Sequence, residues 1–212
     1  MEAREATRAA WAPARPYRPY GEEARDRIYS CLFADDGAAF EGTGIAFGPE
    51  AGVAALTALA RDEGAEARMR ALAFRSLRAL GTAPGELPLL GVIVEVGMQE
   101  GLDALAAYAD GSARYMNHAG GMSVVEGKGV ADPEIRALIV AARPVALAIG
   151  SWTEARRPPP TAGIVRLSFL VGDELRFGEG PIEVIARDAA AGPAFAAATR
   201  LLMKLAELVQ PS

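Results

Sequence analysis

The sequence predicts an α+β fold: an antiparallel sheet with flanking helices, preceded by an N-terminal helical region. Three observations predict it. The run Leu90 to Val96 is apolar and rich in β-branched residues on both alternating faces, the pattern of a strand covered on two sides. Asp110-Gly111 and Gly172-Asp173 are two-residue turn signals between apolar runs, and strands joined by such hairpins are antiparallel. Before Pro84, apolar residues recur instead at helical spacing.

Residues 1–21 read as a flexible arm, because Pro13, Pro16 and Pro19 alternate with Arg and Tyr and favour extended backbone. A helix is predicted from Glu22 to Phe33, with Ile28, Cys31 and Leu32 on its apolar face, ending before the turn Asp35-Asp36-Gly37. Pro49 suits the first residue of a second helix, through Arg61. A third runs from Glu63 to Leu80, with Met69, Leu72, Ala73, Leu77 and Leu80 inward and Arg68, Arg75 and Arg78 elsewhere. Gly81 is placed to cap it in the left-handed conformation.

Residues 22–83 thus form a helical region and residues 84–212 the antiparallel domain. There Leu90 to Val96, Leu102 to Ala109 and Arg114 to Asn117 are successive strands. Met122 to Glu126 continues extended after a turn or bulge at Gly120-Gly121. Asp132 caps a helix opening at Pro133, which Pro144 is expected to kink or end early. Ile164 to Val171 and Glu174 to Phe177 form a second hairpin, and Phe177 to Pro181 reads as a turn. A last helix spans Pro193 to Val209, with Phe195, Leu202, Leu205 and Val209 inward. The helices of this domain are expected to cover one face of the sheet.

Composition narrows the function classes. Of the 212 residues 51% are hydrophobic, enough for a sizeable core, and the formal net charge of −5 argues against a broad phosphate-binding surface. No nucleic-acid partner is expected. The apolar stretches are too short to span a bilayer, and the N-terminus lacks the apolar core of a signal peptide. The single cysteine, Cys31, permits no internal disulfide and reads as an inert core thiol on a helix. The expectation is a cytoplasmic protein with no membrane partner. Gly127-Lys128-Gly129 matches neither a nucleotide-binding loop nor a dinucleotide fingerprint, and a lone histidine makes no histidine-rich metal site, so no cofactor and no metal are expected.

The order of elements resembles the roadblock or profilin-like group of small α+β domains. The words Leu89-Leu90-Gly91-Val92-Ile93-Val94-Glu95-Val96-Gly97, Gly101-Leu102-Asp103, Tyr108-Ala109-Asp110-Gly111 and Arg114-Tyr115 look like a group of bacterial proteins of uncharacterised function. Arg166 to Val171 and Phe177-Gly178 continue the likeness. That resemblance implies no activity and brings no functional residues with it.

Candidate chemistry rests on three side chains. Glu95 interrupts an apolar central strand, so its carboxylate must find hydrogen bonds or a cation, or take up a proton. An ion pair with Arg114 or Arg166 is the preferred reading, and an acid/base group the alternative. Asp103 opens the next strand, where pairing could bring it beside Glu95 in the manner of a hydrolase carboxylate pair. His118, the sole histidine, lies beside glycines at a strand end and would act as a general base only with a partner nearby.

A second group suggests binding. Trp152, Arg156 and Arg157 precede three prolines in a stiff segment, and Trp11 sits in the arm among arginines and prolines. The bland alternative for the first segment is a connector with Trp152 packed on the prolines. A non-catalytic protein-interaction or regulatory module is therefore expected, associating with a protein partner or with itself as a homodimer through a sheet edge or helix face. A hydrolase-like enzyme using Glu95, Asp103 and His118 and a small-molecule sensor are the alternatives.

Overall fold

Branched and apolar residues carry the chain from Leu89 into the longest strand, around which the others assemble. The computed structural model describes residues 16–35, 37–40, 47, 51–82, 85–127, 129 and 131–209. Trp11, Pro49 and Lys128, and the side chain of Val209, lie outside them. Six strands, β1 (Leu89–Met98), β2 (Gly101–Tyr108), β3 (Ala113–Met116), β4 (Met122–Val125), β5 (Ile164–Val171) and β6 (Glu174–Pro181), form one open sheet in the order β4-β3-β2-β1-β5-β6. Every neighbouring pair is antiparallel. The helices are α1 (Glu23–Cys31), α2 (Val53–Arg61), α3 (Ala67–Ala79), α4 (Asp132–Ala148), α5 (Ile182–Arg187) and α6 (Gly192–Val209).

The two-sided apolar character of β1 and β5 has its cause in two cores, one on each face of the sheet. Val92, Val94, Leu105, Leu167 and Phe169 pack on one face against Ile135 and Leu138 of α4 and Leu201 and Leu205 of α6. Leu90, Ile93, Ala104, Met116 and Leu170 pack on the other against Tyr29, Leu56, Leu72 and Leu77 of the N-terminal helices. The helices of the antiparallel domain, α4 and α6, cover one face as their order predicts, and the N-terminal helical region covers the opposite one. Each fully buried Leu, Ile or Phe contributes about 1.5–3 kcal/mol relative to exposure, so neither layer is dispensable.

Local chemistry fixes the joints. Gly81, at φ +76°, ends α3, with its N–H on the Arg78 carbonyl and the Thr82 N–H on that of Leu77, the double bond of a Schellman cap. The start of α3 is capped from outside the helix. Asp110, in the β2–β3 turn, accepts the Ala67 N–H at 2.7 Å through one oxygen and the Ser112 N–H at 2.8 Å through the other. The same turn needs Gly111 at φ +87°.

Several local expectations are corrected. Asp132 is the first residue of α4 rather than its cap, and its carboxylate accepts from Arg136 one turn on. Helix α4 continues through Pro144 to Ala148. The proline is exposed, on the solvent side of the helix, where a missing backbone bond costs least. Phe177 to Pro181 extends β6 instead of turning, because each of its residues finds a partner on β5. The short helix α5 has too few turns to show a period in sequence. Arg68 is buried, its guanidinium paired with Glu66 and lying over the rings of Phe40 and Tyr108. Cys31 is half-buried at the end of α1 rather than in the core. Tyr17 and Tyr20, assigned to the arm, pack against the N-terminal core.

Candidate functional site

The turn at Gln99-Glu100 pairs Met98 with Gly101, and the register that follows decides the fate of the carboxylates. Glu95 faces Ala104 and Asp103 faces Val96, so Glu95 and Asp103 project from opposite faces of the sheet. They form no pair. The structure brings Asp103 to His118 instead, with His118 Nδ1 2.7 Å and the His118 backbone N–H 2.9 Å from Asp103 Oδ1. Tyr115 donates its hydroxyl to the other carboxylate oxygen at 2.9 Å, and burial beside that carboxylate raises the Tyr115 pKa. With Nδ1 turned to Asp103, Nε2 of His118 lies at the far side of a ring whose side chain is 37% exposed. That is an oriented imidazole on the surface.

Glu95 is 0% exposed on the face beneath the N-terminal helices. Tyr29 of α1 donates to its Oε1 at 2.6 Å, and Arg166 Nη1 on β5 lies 3.7 Å from Oε2. Burial raises the Glu95 pKa, with Arg166, Tyr29 and Arg156 acting against the rise. The expected ion pair forms with Arg166. Arg114 is engaged by Glu126 at 2.7 Å. Arg166 itself is held by Glu179 of β6 through both Nε (2.9 Å) and Nη2 (2.7 Å).

The segment after α4 completes this network. Gly97 lets the backbone at Pro160-Thr161 cross β1 directly, since a Cβ at Gly97 would stand 2.0 Å from the Thr161 carbonyl oxygen. Arg156, expected on a binding surface and lying earlier in the same segment, is 3% exposed. Its Nε donates to Asp35 at 3.0 Å, its guanidinium lies 3.9 Å from the centre of the Phe33 ring, and Tyr17 donates to its carbonyl at 2.6 Å. Burial raises the Asp35 pKa, and Arg156 and Arg75 oppose it. Burying a charge demands a counter-charge, and this arrangement supplies one for each arginine. Trp152 packs edge-on against Phe177 at 5.0 Å, while Arg157 is exposed and paired with Glu179. Of the expected binding residues described here, Trp152 and Arg157 remain at the surface.

Tyr29, Asp35 and Glu179 escaped the sequence reading. The spacing Tyr29-Leu32-Phe33 marks an inward helix face as well as the one inferred from Ile28, but nothing local points a helix tyrosine at a strand carboxylate.

The two edges of the sheet differ. On β6 the outward carbonyl of Leu175 accepts the Trp152 N–H at 2.8 Å, and the strand carries Glu174, Arg176, Glu179 and Pro181. Charges, proline and a covering bridge are how natural sheets guard an edge. On β4 the residues are Met122-Ser123-Val124-Val125, with no charge and no proline. The Asn117 N–H bonds the Gly121 carbonyl at 2.9 Å, so the alternate residues Ser123 and Val125 bond toward β3. The N–H and C=O groups of Met122 and Val124 therefore point outward, and among the described residues no strand pairs with them. Their side chains, 43% and 46% exposed, lie on the face of Arg114 and Met116. Ser123 is buried on the other face, where α6 packs.

No protein-family model matches the chain, and no curated protein is significantly similar to it. Among the described residues no helix is long and apolar enough to cross a membrane, and no group of three or more His, Cys, Asp or Glu could hold a metal ion.

Proposed function

We propose that the chain is a non-catalytic protein-interaction or regulatory module of the cytoplasm that takes up an extended partner strand on the free edge of β4. The single observation that carries this reading is the pair of outward-facing backbone positions, Met122 and Val124, which carry exposed apolar side chains in a strand that itself holds neither charge nor proline. Strand addition draws affinity from main-chain hydrogen bonds and specificity from alternate side chains, and β4 offers both. The placement of the other candidates supports it: Glu95 and Arg156 are committed to holding layers together.

A photo-crosslinking residue at position 124, expressed in the native cell, tests the reading, with the same residue at exposed Val140 of α4 as the comparison. Specific adducts from position 124 that are lost when Met122 is changed to Lys are expected. Adducts from position 140 alone would refute the strand-edge reading. A hydrolase-like activity remains a second reading, favoured by the Asp103–His118 pair alone, without Glu95. It requires His118→Ala to abolish hydrolysis of an ester substrate.

A further inference from the structure

We infer that the strand received by β4 is β4 of a second copy of this chain, joining two six-stranded sheets across a two-fold axis at Ser123. The inference rests on the strand-edge reading above and names its partner. The outward groups belong to Met122 and Val124, and an antiparallel copy satisfies all of them from one another when Met122 of each chain bonds Val124 of the other. Ser123 then faces its own copy. In that register each exposed Met122 side chain lies opposite an exposed Val124 on the same face, so four apolar side chains cover one another. Shifting the axis to Met122 or to Val124 leaves one of the two apolar positions opposite Gly120 or Glu126 instead.

Charge complementarity selects the same register. Just past the end of β4, Glu126 of each chain comes toward the turn at Gly120 of the other, whose N–H bonds its own Asn117 carbonyl at 3.3 Å. A Cβ at Gly120 would stand 3.7 Å from Arg25 Nη1, so the Arg25 guanidinium of α1 lies beside that glycine. Arg25 uses Nη2 to hold the Asn117 carbonyl at 2.6 Å, which fixes the group at the end of the edge. Glu126 lies on the same sheet face, with Oε1 on Arg114 and its side chain 65% exposed. Each Glu126 thus meets the Arg25 of the other copy, once on either side of the axis, and no like charges stand opposite each other along the strand.

Sedimentation of the full chain over a concentration series is the test. A reversible monomer–dimer equilibrium is expected, with Val124→Lys raising the dissociation constant at least tenfold without lowering the melting temperature of dilute protein. Glu126→Arg is expected to weaken the dimer similarly, and Glu126→Arg combined with Arg25→Glu to restore it to within about threefold of the original. A dimer unaffected by Val124→Lys, or one broken by Val140→Glu instead, overturns the inference. So do crosslinks from position 124 to residues 1–15 of the same chain. A purified monomer whose position 124 crosslinks to a different protein overturns self-pairing and leaves the strand-acceptor reading standing. A monomer with no adduct from position 124 overturns both.

Discussion

Replacing Tyr29 by Phe removes one oxygen from the junction between α1 and β1 and leaves the ring in place. The rings of Phe33 and Tyr20, 5.6 Å and 6.2 Å away, keep their edge-on contacts. What is lost is the 2.6 Å hydrogen bond to Glu95 and a 3.4 Å contact from Arg156. Glu95 Oε2 has no hydrogen-bond partner among the described residues, so the carboxylate would be left with the Arg166 charge at 3.7 Å alone. A hydrogen bond to a charged group contributes about 1.5–3 kcal/mol, and leaving a buried carboxylate short of donors puts the cost at the upper end, roughly 2–3 kcal/mol. For a chain of this length that lowers the melting temperature by about 5–10 °C. The assay is urea unfolding followed by far-ultraviolet circular dichroism, where the midpoint falls at unchanged slope. Because the hydroxyl stabilises the ionised form of Glu95, the loss is smaller in acid, where the carboxyl takes up its proton. A loss under about 0.5 kcal/mol at neutral pH, against the 1.5–3 kcal/mol range, would refute the view that this bond clamps the helical layer to the sheet.

Glu95→Gln isolates the titration itself. Burial raises the folded-state pKa of Glu95, so its protonation contributes stability that is fully present below the ordinary carboxylate value and is lost as pH rises through the raised one. Glutamine does not titrate, so the variant's stability relative to the original should improve as pH rises across that window. Chemical unfolding at several pH values reads this, and a relative decline with rising pH would mean that Arg166 outweighs burial. Gly97→Ala would place a Cβ 2.0 Å from a backbone oxygen of the Pro160-Thr161 strap. The strap or strand must move, at a cost of about 3 kcal/mol or more, and an unchanged unfolding midpoint would show that the strap yields freely.

The strands and their antiparallel hairpins were legible in the residues alone. Two-sided apolar runs and two-residue turns are local signals, and β5 begins and ends at Ile164 and Val171 as the apolar run predicts. The sequence also marked Glu95 as a carboxylate that must find a partner, since an unpaired charge inside an apolar strand is too costly to persist. Tertiary structure decided the partner. Tyr29 is 66 residues away and Asp35 meets Arg156 across 121, distances over which residue type alone carries no preference. It decided as well that Asp103 turns away from Glu95 toward His118, because a one-residue difference in register moves a side chain to the other face. Which helices cover which face, and the edge of β4 left open, depend on how the helices dock. Only the packed chain settles that, since an apolar helix stripe names its need for a surface without naming the surface.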